Sequence, residues 1–72
     1  MQYKRIRNLR EDSDKTQAQL AEEIGLYTTT YQRYESGARE LPLDIAIALA
    51  KYHNVSIDYL AGISDKPRKF GE

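Results

Sequence analysis

A compact all-α bundle of five short helices is the fold this sequence predicts, and three observations point to it. Apolar residues recur at three- and four-residue spacing in several segments, the pattern of helices that each bury one face. Those segments are separated by Ser, Thr, Asp, Asn, Gly and Pro at the places where helices start and stop. With 72 residues the chain has room for one domain and one core, which favours short helices packed closely.

Tyr3, Ile6 and Leu9 recur every three residues with Lys4, Arg5, Arg7 and Asn8 between them, and predict a first helix from about Tyr3 to Asp12. Ser13-Asp14-Lys15 breaks the period. Thr16 is then a good N-cap for a second helix, Gln17 to Ile24, in which Leu20, Ala21 and Ile24 share a face. Gly25 supplies a left-handed stop. Leu26-Tyr27 lead into a third helix, Thr28 to Glu35, that turns Tyr31 and Tyr34 inward and leaves Thr28, Thr29, Gln32 and Arg33 for another surface. It is expected to end near Gly37.

Ala38 to Leu41 reads as a loop, and Pro42 suits the first turn of a fourth helix, Pro42 to His53, with Ile45, Ala46, Leu49 and Ala50 as its stripe. Asn54 tolerates a left-handed cap, Val55 packs back, and Ser56 caps a short fifth helix around Ile57 to Ala61. Residues 1–62 are therefore expected to form the domain. Residues 63–72, with Lys66-Pro67-Arg68-Lys69, read as a C-terminal tail that is disordered rather than packed.

Composition narrows the chemistry. There is no cysteine, so disulfides and thiolate metal sites are excluded, and His53 is the only imidazole. A lone histidine with no acid or nucleophile at motif spacing is a packed or solvated residue, not a ligand or base. No apolar run approaches the roughly 20 residues that span a bilayer, and MQYKRIRN lacks the apolar stretch of a signal peptide, so the expected location is the cytoplasm. Eleven Lys+Arg balance eleven Asp+Glu, so any attraction to nucleic acid must come from segregated charge. No Gly-rich phosphate loop, HExxH or nucleophile elbow is present, and so short a chain would struggle to enclose a substrate pocket. An enzyme, a cofactor and a small-molecule substrate are not expected.

The interval from Gln17 to Ser36 carries function. Two helices that cross steeply need a small side chain where their backbones approach, here Ala21, and a sharp turn, here Gly25 followed by apolar Leu26. The second of them then protrudes enough to enter a groove about 12 Å wide, the major groove of B-DNA. TQAQLAEEIGLYTTTYQRYESG followed by LPLDIAIALAKYHNVSIDYL resembles the lambda-repressor and Cro-like helix-turn-helix family, also called the XRE type, from about Ile6 to Leu60.

That resemblance implies a lambda-repressor-like DNA-binding domain. It implies that Gln17 touches a phosphate, that Tyr27, Thr28, Thr29 and Arg33 read bases, and that Thr30 and Gln32 face nearby backbone or bases. It also implies a phosphate contact at Arg39 and an ion pair between Arg10 and Glu35 that braces the first helix against the third. Side-chain chemistry agrees with most of these roles. Arginine can bind guanine O6 and N7 with two hydrogen bonds, which gives Arg33 the sharpest discrimination, about 1–3 kcal/mol. Gln17 would position the domain without specifying a sequence. Without the motif, Gln17 would be an ordinary N-terminal helix residue.

The sequence departs from the family pattern at three places. Asp14 stands where glycine is common, so its turn is expected to be less left-handed or to rely on an Asp side-chain bond. Tyr27 replaces the usual small cap of the third helix, and His53 replaces an apolar residue. Tyr31 and Tyr34 have core spacing and are not a stacking platform. The run Lys4, Arg5, Arg7 and Arg10 is either a solvated face or partly near phosphates.

The function expected is sequence-specific transcriptional regulation, as a repressor bound as a symmetric homodimer to a palindromic operator of two half-sites about one helical turn apart. Ile47, Tyr59, Ile63 and Phe70 are the candidate dimer residues. The neutral charge leaves a second reading open, a protein-interaction module such as an antitoxin or another partner-binding regulator on the same fold.

Overall fold

The computed structural model describes residues 4–71, the side chain of Lys4 excepted. Five helices follow in order: α1 Lys4–Asp12, α2 Gln17–Glu23, α3 Thr28–Ser36, α4 Leu43–His53 and α5 Ile57–Leu60. No strand occurs among the described residues. Tyr3, placed at the start of the first helix by its spacing, lies outside them. α3 is the hub, packed against both α2 and α1, while α5 packs against α4.

Each helix stops where its local chemistry dictates. α2 ends at Gly25, whose φ of 79° lets Leu26 N donate to Ala21 O at 2.8 Å and Gly25 N to Glu22 O at 3.2 Å. These paired bonds absorb carbonyls that a helix end leaves without partners. α4 ends the same way at Asn54, φ 53°, with Val55 N on Ala50 O at 3.0 Å and Val55 itself buried. Asp14 corrects the sequence expectation. Its φ is 57°, fully left-handed, and Lys15 N on Arg10 O at 3.3 Å with Asp14 N on Glu11 O at 3.0 Å closes α1 without help from its carboxylate.

Pro42 is also shifted from its expected place. It is the residue before α4, extended at φ −65° and ψ 153°, so Leu43 begins the helix and is left exposed. The reason is geometric: proline's ring sets φ for either position, and ψ here stays extended, so the last non-helical residue is the proline. The other ends fall within one residue of the sequence reading, Glu23 for Ile24, Ser36 for Glu35 and Leu60 for Ala61.

Ile6, Leu20, Ala21, Tyr31, Tyr34, Leu41, Ala46, Leu49, Val55 and Leu60 form one buried cluster, edged by Leu9, Ile24, Leu26, Ile45, Tyr52 and Tyr59. Leu41 belongs to it although it sits in the loop before α4. Residues 62–71 double back rather than trailing away: Ser56 N donates to Arg68 O at 2.8 Å, and Lys51 Nζ lies 5.6 Å from the Phe70 ring centroid. The radius of gyration, 11.1 Å, is that of a compact chain of this length, about 11 Å, and leaves no room for an extended tail.

Candidate nucleic-acid interface

Thr16 sets the start of α2 with a reciprocal box: its Oγ1 accepts from Gln19 N at 3.1 Å, and Thr16 N donates to Gln19 Oε1 at 2.9 Å. Seven residues make a helix too short to persist alone, so this cap and burial of Leu20 and Ala21 hold it. The turn at Gly25 then aims α3. Tyr27 is its N-cap residue, extended, and gives no side-chain bond to the helix. At 83% exposure its ring and hydroxyl are available to a ligand.

The two faces of α3 differ sharply. Tyr31, Tyr34 and Glu35 are buried. Thr29, Gln32, Arg33 and Ser36, spaced i, i+3, i+4 and i+7, make an exposed stripe on the other side. Thr28 and Thr30 are half-buried and flank it, so among the three threonines Thr29 is the one that faces fully outward. The chain leaves α3 through Gly37, φ 83°, and Arg39 N returns to Arg33 O at 3.2 Å, which folds exposed Arg39 back beside the helix end. Neither Arg33 nor Arg39 forms an ion pair among the described residues.

Behind the stripe, Arg10 and Glu35 meet in a two-bond pair, Nε to Oε2 at 2.6 Å and Nη2 to Oε1 at 3.1 Å, with side-chain exposures of 13% and 4%. Arg10 Nη1 also donates to Lys15 O at 2.9 Å, which ties the turn before α2 to the same cluster. Gln17 Nε2 donates to Glu35 Oε1 at 3.1 Å, so one carboxylate joins α1, α2 and α3. Burial alone would push the Glu35 carboxyl up, but the hydrogen bonds from Arg10 and Gln17 and the guanidinium charge outweigh it and hold it below its usual range. Tyr31's hydroxyl lies close enough to feel this charge but makes no hydrogen bond, and burial together with Glu35 drives its pKa far up. Arg7, Arg10, Gln17, Gln32, Glu35 and Ser36 line an open hollow over the pair.

The basic run on α1 resolves into separate jobs. Arg5 Nη1 donates to Tyr59 O and to Ser64 O, both at 2.8 Å, its guanidinium sits 4.1 Å from the Tyr59 ring centroid, and Nη2 lies 3.9 Å from Asp65. It is a clamp on α5 and the chain beyond, a role neither reading of the run anticipated. Arg7 pairs with Glu11 at 3.0 Å, one turn on. The side chain of Lys4 lies outside the described residues.

Among the residues singled out for a dimer, Ile63 is 77% exposed, whereas Ile47, Tyr59 and Phe70 are half-buried. His53 packs edge-on against Tyr52, ring centroids 5.0 Å apart, with Nε2 buried and unpartnered, and burial lowers its pKa. No helix among the described residues is long and apolar enough to cross a membrane.

The chain is 40% identical over 67 residues to the uncharacterized HTH-type transcriptional regulator YobD of Bacillus subtilis (strain 168), covering 93% of this chain and 60% of that protein. It is 41% identical over 58 residues to the cryptic phage CTXphi transcriptional repressor RstR of Vibrio cholerae serotype O1, covering 81% of this chain and 52% of that one. To the HTH-type transcriptional regulator ImmR of Bacillus subtilis it is 30% identical over 66 residues, covering 92% and 52%. The chain thus spans between half and three-fifths of the length of these relatives. No solved structure matches it significantly. The helix-turn-helix family matches residues 6–60, the interval that holds α2, its left-handed stop and the outward-facing α3, and the chain belongs to that family.

Proposed function

We propose that the protein is a DNA-binding transcriptional regulator of the repressor type, that it works by binding and not by catalysis, and that it enters the major groove with α3. One observation carries this: an exposed polar stripe, Thr29, Gln32 and Arg33, on a helix whose opposite face is locked into the core, with Arg33 and Arg39 free of ion pairs among the described residues. The names of the relatives, regulators and a repressor, support it.

In this reading Arg33 makes two hydrogen bonds to guanine, and Thr29 contacts a base edge or a thymine methyl. Tyr27 and Thr28 reach bases from the first turn of α3, and Thr30 and Gln32 meet backbone or bases at its flanks. Gln17 and Arg39 hold phosphates on either side, which fixes register without specifying sequence. Two copies on a palindromic operator are the natural assembly for a domain that covers only one half-site, with exposed Ile63 as the apolar contact. A cytoplasmic location follows from access to DNA.

The test is selection from a randomised duplex library, followed by Arg33→Ala and Thr29→Ala on the winning sequence. Arg33→Ala should weaken the selected site by about 1–3 kcal/mol and relax preference at one base pair, with an unchanged melting temperature. An enriched inverted repeat supports the dimer. Absence of enrichment from folded protein would sink the DNA reading in favour of a protein-interaction module.

A further inference from the structure

Glu35 does more than neutralise Arg10. Its two oxygens accept three hydrogen bonds, two from Arg10 and one from Gln17 Nε2, and its side chain is 4% exposed, so the carboxylate is fixed from below and has one surface contact to manage. That contact is the side chain at the first position of α2, on the rim of the hollow shared with Gln32 of the DNA-facing stripe.

The chemistry of the pair matters because a glutamine amide has two ends of nearly equal size, one that only donates and one that only accepts. Phosphate oxygens only accept. A freely turning glutamine therefore presents the wrong end part of the time and loses rotamer freedom when it binds. An ionised carboxylate also only accepts, so against Glu35 the amide has one acceptable orientation, nitrogen toward the carboxylate. Nε2 carries two hydrogens, and one of them is engaged at 3.1 Å. The other is left for a second acceptor. Because Arg10 offsets the charge of Glu35, an approaching phosphate meets an oriented donor and not a bare anion.

We propose that Glu35 is a positioning residue for DNA binding: it orients the Gln17 amide so that the second Nε2 hydrogen is presented to a backbone phosphate. This role rests on the reading of Gln17 as a phosphate contact. It acts on every sequence alike, since phosphates carry no base identity.

Removing Glu35 alone would leave Arg10 buried without its counter-charge, so Glu35 is replaced only together with Arg10. Arg10→Lys keeps a counter-charge and the acceptor-only Glu35 carboxylate that Gln17 donates to, and Arg10→Met/Glu35→Met removes both. Each is titrated onto one labelled mixed-sequence duplex at fixed low salt, with and without Gln17→Ala, after thermal melts establish that it is folded. In the wild type, Gln17→Ala is expected to weaken binding about tenfold, the scale of one hydrogen bond to a charged group. Arg10→Lys should retain affinity within about threefold and stay about tenfold sensitive to Gln17→Ala, whereas Arg10→Met/Glu35→Met should lose most of that sensitivity.

Equal sensitivity to Gln17→Ala in both backgrounds would overturn the positioning role while leaving DNA binding intact. Failure of the wild type to bind any duplex would instead bring down the DNA reading itself, and the positioning role with it. A measurement on the wild type alone guards against poor folding of the variants. The Gln17 side-chain amide, assigned by its loss in Gln17→Ala, should show one hydrogen protected from exchange; two hydrogens exchanging equally would refute the orientation.

Discussion

At Asp14 the backbone holds an L-residue at φ 57°, a conformation that is costly for anything but glycine and only eased for Asp and Asn. Its carboxylate also sits at the negative end of α1, where the helix field disfavours it. Both penalties point the same way. Asp14→Gly is expected to raise stability by about 1 kcal/mol, or roughly 4–8 °C in melting temperature for a domain of this size. A melt that shows no gain would mean that a surface contact of Asp14 compensates. The position was legible as a departure from a glycine pattern, but the sequence left open whether the chain or the residue would yield. The chain does not yield, because the five-residue closure from Lys15 N to Arg10 O needs the left-handed turn whatever residue occupies it.

At the level of elements, the apolar periods and caps placed all five helices within a residue at each described end, since those signals are local and each helix carries its own. What escaped the sequence were contacts between elements distant in the chain. Leu41 is buried although its neighbours spell a loop, and Gln17 meets Glu35 across 18 positions. Arg5 is the clearest case: its partners Tyr59 and Ser64 lie 54 and 59 residues away, and no periodicity announces them. Among the expected interface residues, Thr28 and Thr30 could not be told from Thr29 by composition, because only the rotation of α3 in the core separates them. The clamp also explains why the segment after α5 folds back against expectation. Arg5→Met should release residues 62–71, seen as fast hydrogen exchange and proteolysis there, while α2 and α3 stay protected. Unchanged protection would assign the fold-back to Ser56 and Phe70 alone.

For the whole molecule, zero net charge conceals an uneven distribution. Arg5, Arg7, Arg10 and Lys15 are each set against Asp65, Glu11, Glu35 and Glu23, which leaves Arg33 and Arg39, among the described residues, as the unpaired cations around α3. Affinity for DNA should therefore fall with salt by a logarithmic slope on the order of two per protomer, about 0.9 for each phosphate neutralised. A slope of roughly four or more would mean that further cations, from opened surface pairs or from Lys66 and Arg68, reach phosphates on DNA.

Acid should act through a different group. Burial holds the His53 pKa below its usual 6.5, so above that pH both folded and unfolded chains carry it neutral and stability is full. As pH falls below 6.5 the unfolded chain takes up the proton first, and stability declines toward the folded pKa. Glu35, held below its usual 4.5, adds a second loss only under that value. Melting temperatures from about pH 8 to 2 should thus fall in two stages, and His53→Leu should abolish the first. A first stage that persists in the variant would refute the assignment.

The left-handed stops at Asp14, Gly25 and Asn54 close with hydrogen bonds that reach back no more than five residues, so each bend can form before any distant partner is found. Little chain entropy is lost in such short closures, and the remaining search is the docking of preformed turns around Tyr31. Folding then belongs to the fast class of low-contact-order helical domains, microseconds to milliseconds. A chain that recloses on that timescale offers proteases only brief openings and regains its native shape between one encounter and the next.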